Sequence, residues 1–146
     1  MEMKQVIPDT PDYVKMNDLR ERIMRRPLGR KLTTADTEGD RTAYLLGCFE
    51  GDDIKGCLVL LKHDDKWTKI RWVAVEEGMQ GRGIGKAMLR HSYDIASGWG
   101  YSKMFCHARE TALPFYTRAG WEAKGETFIN EAGLPYRRME YMLEKA

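Results

Sequence analysis

The sequence predicts an α/β protein: a mixed, mostly antiparallel central sheet flanked by helices, with one parallel strand pair around a helix that follows a glycine turn. Three observations predict it. Short runs rich in β-branched and aromatic residues recur along the chain, bounded by turn residues. Two longer stretches, 11–26 and 81–97, instead space their apolar residues as helices do. Between residues 70 and 107 the chain reads strand, helix, strand, and that connection implies a parallel pair.

Taken in order, Lys4–Ile7 reads as a short first strand. Pro8 and Pro11 break it, and Asp9, Thr10 or Asp12 can cap a helix from Pro11 to about Arg26. Val14, Leu19, Ile23 and Met24 supply an imperfect apolar face. Arg20, Glu21, Arg22, Arg25 and Arg26 read as a solvated charged face rather than a binding patch. Pro27 and Gly29 end the helix, and residues 29–40 read as a loop or short helix. Thr42–Phe49 and Ile54–His63 are strands joined by Glu50-Gly51-Asp52-Asp53, a turn of hairpin chemistry. Cys57-Leu58-Val59-Leu60-Leu61 is apolar throughout, as a strand covered on both faces is. Asp64-Asp65 turns the chain into a third consecutive antiparallel strand, Trp67–Val75.

The helix from about Gly81 to Ser97 carries Ile84, Ala87, Met88, His91 and Ile95 on one face and stops at Gly98 and Gly100. His91, on that stripe, reads as a packed residue. Tyr101–His107 is the strand that completes the parallel pair. A short helix follows, with Pro114 in its first turn and Gly120 at its end. Trp121–Phe128 and Tyr136–Leu143 close the chain as two strands, with Gly133 suited to the turn between them.

Composition sets the bounds. The 146 residues, 42% hydrophobic and 32% charged, read as one globular domain over 1–146 with room for a core. A formal net charge of +2 gives no case for a nucleic-acid partner. No apolar run approaches the ~20 residues of a membrane helix, so no membrane partner is expected. Met1-Glu2-Met3-Lys4-Gln5 lacks the apolar core of a signal peptide. Cys48, Cys57 and Cys106 are odd in number and without metal-ligand spacing, which points to buried thiols, a cytoplasmic location and no metal.

The stretch that carries chemistry is Ile70-Arg71-Trp72-Val73-Ala74-Val75, then Glu76-Glu77-Gly78-Met79, then Gln80-Gly81-Arg82-Gly83-Ile84-Gly85-Lys86. Glycine admits positive φ and close backbone approach. A helix N-terminus adds unpaired N–H groups and the positive end of the dipole, a natural anion site. Lys86 and Arg90 can add charge beside it. A Walker A loop is excluded, because Gln80 stands in place of its first glycine and Ala87 in place of its Ser or Thr. A dinucleotide fingerprint is excluded because Lys86 stands where its third glycine belongs.

What remains is Gln-x-x-Gly-x-Gly, filled by Gln80, Gly83 and Gly85. This resembles the acetyl-CoA pyrophosphate loop of the GCN5-related N-acetyltransferase (GNAT) superfamily. A second run, Ala112-Leu113-Pro114-Phe115-Tyr116-Thr117-Arg118-Ala119-Gly120-Trp121, resembles the helix that follows the fifth strand in that family. The tail from Phe128 to Tyr136 is similar to one bacterial subgroup, with Tyr136 where that subgroup has histidine. The resemblance covers Thr42 onward well and the first third loosely; there Arg30 and Lys31 are at most rim residues of an acceptor site.

The resemblance implies an acetyl-CoA-dependent N-acetyltransferase acting by direct attack in a ternary complex on an amine acceptor. It implies donor binding by Gln80, Gly81, Arg82, Gly83, Ile84, Gly85 and Lys86. It also implies pairing of the pantetheine arm with backbone at Val73 and Val75, where a strand N–H can steady an oxyanion. Tyr116, implied to face the sulfur, is the candidate acid for the leaving thiolate. Thiol pKa is ~8.5 and tyrosine ~10, so that transfer is feasible. His107 and Glu76 are the base candidates, since the amine must lose a proton; Glu77 and Glu110 lie near the same strand ends. Cys106, a conceivable acyl carrier, reads as buried. Paired subunits are common in the family, which allows a homodimer. The rival readings are a CoA-binding regulatory module without turnover and a nucleic-acid binder using the arginines of 20–26.

Overall fold

The computed structural model describes residues 1–143. Its elements, in chain order, are β1 (Glu2–Val6), α1 (Pro11–Arg20), α2 (Thr34–Thr37), β2 (Tyr44–Glu50), β3 (Asp53–Lys62), β4 (Trp67–Val75), α3 (Ile84–Gly98), β5 (Lys103–Arg109), α4 (Leu113–Arg118), β6 (Glu122–Ile129) and β7 (Pro135–Met142). The strand order is β1-β2-β3-β4-β5-β7-β6. The β4–β5 pair is parallel, through Trp67↔Lys103, Thr68↔Met104 and Lys69↔Phe105; the β1–β2, β2–β3, β5–β7 and β6–β7 pairs are antiparallel. The expected mixed, mostly antiparallel sheet is therefore present. The insertion of β7 between β5 and β6 adds an order that hydrophobic pattern does not specify.

Packing divides the chain into two compact units, residues 1–61 with 72–94, and residues 62–71 with 95 onward. In the first, α1 starts where Thr10 accepts from the Tyr13 N–H with Pro11 in the first turn. Met16 and Leu19 of α1 pack on Leu45, Phe49, Cys57, Val59, Trp72 and Ala74. Val14 points outward at 68% exposure, so the apolar face is rotated from the one expected. On α3 the buried residues are Ile84, Gly85, Met88, Leu89, Ser92 and Ala96, while Ala87 is exposed. Ser92 is tolerated there because its hydroxyl donates to the Leu89 carbonyl at 2.6 Å.

The continuously apolar β3 is covered on both sides, as read from its sequence. A Cβ on Gly56 would lie 2.9 Å from Ile84 Cγ2 and Met88 Cε, which shows how tightly α3 seats on it. Gly47 of β2 is tighter still, 2.5 Å from the Phe49 ring and 2.9 Å from Val6 Cγ2. Phe49 is 1% exposed and has nowhere to move. Gly47→Ala is expected to destabilise the protein by about 1–3 kcal/mol as overpacking does. Gly98→Ala, which meets no atom within 4 Å, is expected to stay within about 0.5 kcal/mol of wild type. Urea midpoints compare the two directly.

The second unit is built on β5, β7 and β6 with the first half of β4. Met104, Cys106 and Ala108 of β5 and Met139 of β7 are buried on the side that carries Tyr116 and Trp121. Tyr116 and Trp121 meet edge to face at 5.3 Å, and Trp121 stacks on Tyr141 at 5.5 Å.

Candidate active site

The glycine turn forms, but α3 starts at Ile84 rather than near Gly81, so Gly85 belongs to the helix and Gly78 takes its place among the turn glycines. Gly78, Gly81 and Gly83 have φ of 82°, 81° and 82°, the left-handed region that L side chains avoid. No atom lies within 4 Å of where a Cβ would stand on any of them, so the turn is open. Glu76 anchors its start, donating its N–H to the Lys55 carbonyl at 2.8 Å and accepting from the Met79 N–H at 3.0 Å. The Ala87 N–H donates to Gly83 at 2.9 Å, which leaves the amides of Ile84, Gly85 and Lys86 without intrahelical partners. The first turn of α3 has no acidic residue. Lys86 and Arg82 are exposed beside it. Gln80 donates to the Val75 carbonyl at 3.3 Å, tying the turn back to β4, and Val73 and Val75 are half-buried.

Glu76 is held by a residue that sequence reading left in solvent. Arg22 donates to both its oxygens, at 2.9 and 3.0 Å, and also to Asp18 at 2.8 Å. Two other arginines of that cluster are spent in the same way. Arg25 pairs with Asp36 at 3.0 Å and lies 4.4 Å from the Trp72 ring. Arg20 is completely buried, pairs with Asp40 at 2.6 Å and lies 5.3 Å from the same ring. Of the solvated charged face expected for Arg20, Glu21, Arg22, Arg25 and Arg26, three arginines are instead in close ion pairs, while Arg26 stays exposed, 3.9 Å from Glu21. The helix changes to a π-helical turn at Glu21–Arg25, which alters which side chains point inward. Trp72 itself has φ of 57° inside a strand, a strained conformation for a bulky residue. It is 8% exposed, and Cys57 Sγ donates to its carbonyl at 3.6 Å.

In the second unit β5 separates the candidate acid from a candidate base. Cys106 faces Tyr116, which hydrogen-bonds to it. His107, next in the strand, points to the opposite face and is exposed. Tyr116 is 6% exposed. Burial pushes the Cys106 thiol up to about 12, despite the Tyr116 bond, so it remains protonated and a poor nucleophile. Partial desolvation of its ring, then the charges of Lys69, Arg138, His63 and Arg71, holds His107 below the usual histidine range. Glu110 accepts from Thr127 at 3.4 Å, and Glu77 is exposed. Among the described residues no group of three or more His, Cys, Asp or Glu is gathered as a metal site, and no helix is long and apolar enough to cross a membrane.

The sequence model of the acetyltransferase (GNAT) family matches residues 13–121. The chain belongs to that family, and is an N-acetyltransferase by class. Solved structures share the fold at low identity. An aminoglycoside 6'-N-acetyltransferase complexed with coenzyme A is 11% identical, with TM-score 0.83 over 100% of this chain and 99% of its own. A GNAT family acetyltransferase from Elizabethkingia anophelis with acetyl-CoA bound is 19% identical, with TM-score 0.77 over 97% of each chain. An acyl-CoA N-acyltransferase from Pseudomonas aeruginosa is 17% identical, with TM-score 0.80 over 95% of this chain and 97% of its own.

Proposed function

We propose that residues 1–146 act as one catalytic domain that moves an acetyl group from acetyl-CoA to an amine by direct attack in a ternary complex. The observation that carries this reading is the open turn at Gly78, Gly81 and Gly83, with the unpaired amides of α3 behind it. Those amides and Lys86 receive the pyrophosphate. Gln80 holds the turn against β4, and backbone at Val73 and Val75 pairs with the pantetheine arm. The amine nitrogen bonds to the thioester carbonyl carbon, a β4 N–H steadies the oxyanion, and the C–S bond breaks.

Tyr116 gives its proton to the departing thiolate, and its neighbour Cys106 stays a neutral thiol. His107 takes the amine's proton through water. Glu76 is the weaker base, because accepting a proton would break its paired bonds to Arg22. We assign it instead to holding the start of the donor turn. Nitrogen and sulfur share one carbonyl carbon, so with Tyr116 facing the sulfur, His107 on the other face of β5 is reached through water. The three free, buried cysteines suit a reducing cytoplasm.

Calorimetry with acetyl-CoA, followed by thiol release across a panel of amines, tests this. Micromolar or tighter binding with turnover is expected. Tyr116→Phe is expected to lower kcat about 100-fold, within the range for a lost general acid, with acetyl-CoA affinity kept. Absence of acetyl-CoA binding overturns the reading. Binding without turnover on any amine points to a CoA-binding regulatory module.

A further inference from the structure

The face of β5 opposite Tyr116 carries more positive charge than its carboxylates balance. Strand pairing fixes the neighbours: Lys69 beside Phe105, Arg138 beside His107 and Glu140 beside Phe105, with Lys124 opposite Arg138 and Glu122 opposite Glu140. Residues directly opposed across a ladder share a face. Phe105 is the hub. Arg138 stacks on its ring at 3.9 Å, the His63 ring lies at 4.9 Å, Lys69 Nζ at 5.5 Å and the His107 ring at 5.7 Å.

Two carboxylates on this face are already engaged. Glu140 accepts from Arg138 Nε at 2.8 Å, and Glu122 pairs with Lys124 at 3.2 Å. Among the described residues Lys69 and Arg71 have no ion-pair partner, and the terminal nitrogens of Arg138 donate no hydrogen bond. Arg71 is exposed. The Arg138 fork is therefore held by two rings, Phe105 at 3.9 Å and Trp67 at 4.8 Å, and by the Glu140 carboxylate on its Nε, while its two outer nitrogens donate no hydrogen bond among the described residues. A stacked guanidinium with an open fork, beside an unpaired lysine and arginine, has the donors that a carboxylate takes. The crowding is felt by its members: burial, then Arg71 and Arg138, pushes the Lys69 ammonium down.

We infer that this face is the acceptor subsite, and that the acceptor is a small amine that also carries a carboxylate, with its anionic end on Lys69, Arg71 and Arg138 and its amine toward His107. The assignment rests on the acetyl-transfer reading in one respect, that His107 takes the amine's proton. The span is short, because Lys69, Arg138 and His107 all border one phenyl ring and Arg71 is two residues from Lys69 on the same strand. The bound carboxylate offsets the charges around His107 and raises its pKa toward the ordinary value. His107 is then a better base with substrate bound than without.

The test offers the enzyme ω-amino acids from glycine to 6-aminohexanoate, each beside its primary amide, with acetyl-CoA in excess. At the chain length that fits, the acid is expected to exceed its amide about 100-fold in kcat/KM, the worth of one or two charge-assisted bonds. Arg71→Gln is expected to narrow that ratio about tenfold by raising KM, with acetyl-CoA affinity unchanged. In parallel, NMR titration of the His107 imidazole is expected to show its pKa rise on adding millimolar succinate to the wild type, and to rise less in Arg71→Gln. Equal rates for acids and amides, or a His107 titration unmoved by succinate, overturn the inference while acetyl transfer stands. So does an Arg71→Gln variant that loses acetyl-CoA instead, which would give the face to the donor. If no amine is turned over, the succinate titration alone decides whether the face takes a carboxylate. The acetyl-transfer reading then fails separately.

Discussion

Gly83→Glu is expected to weaken acetyl-CoA binding at least about 100-fold while leaving a folded protein. The backbone at Gly83 has φ of 82°, so any side chain there carries about 1–2 kcal/mol of strain. That is a fraction of the stability of an ordinary domain, and no atom lies within 4 Å to be displaced. Glutamate would place a carboxylate at the mouth of α3, where the dipole attracts it. It would occupy the amides of Ile84, Gly85 and Lys86 and repel the incoming pyrophosphate. Gly83→Ala separates strain from charge. It shares the φ penalty, brings no charge, and is expected to lose about tenfold or less. Calorimetric Kd values for the three proteins, with circular dichroism to confirm folding, give the comparison. Equal affinity in the glutamate variant would move the pyrophosphate away from this turn.

Asp40→Ala is expected to cost about 3–5 kcal/mol, enough to unfold a marginal protein. Asp40 accepts from Arg20 through both oxygens, at 3.2 and 2.6 Å, and from the Tyr13 hydroxyl at 2.5 Å. Asn17 takes a further bond from the same guanidinium. Burial, then the bond to Asp40, keeps the Tyr13 hydroxyl above its usual range and so a donor. Removing Asp40 strands a guanidinium that is 0% exposed and whose Nε has no partner among the described residues. The double variant Arg20→Met, Asp40→Leu removes both charges, and is expected to be far closer to wild type than Asp40→Ala alone. Urea denaturation of the single and double variants decides. If the double variant is no better than the single, the lost partner charge is not the cause. Arg20 also lies over Trp72, so either variant reports on how the strained β4 residue is held.

Local pattern was enough for most of the fold and for the glycine turn of the proposed site. The alternation of Trp67–Val75, the turn glycines Gly78, Gly81 and Gly83, and the apolar spacing after Ile84 each express a preference of a few neighbouring residues. Backbone conformation at glycine and burial of a periodic stripe require nothing from distant parts of the chain. The sequence by itself therefore determined the strand, glycine turn and helix, the parallel pair around them, and the short helix carrying Tyr116. Only the tertiary structure decided which charges are spent. Arg22 and Glu76 are 54 residues apart, and Arg20 and Asp40 are 20 apart. No spacing rule joins such pairs, so their arginines looked solvated until the chain brought carboxylates to them. The same holds for the cations around Phe105 of β5, gathered from β4 and β7 by the insertion of β7 beside β5. Coulomb energy depends on distance in space, and a linear sequence records only distance along the chain.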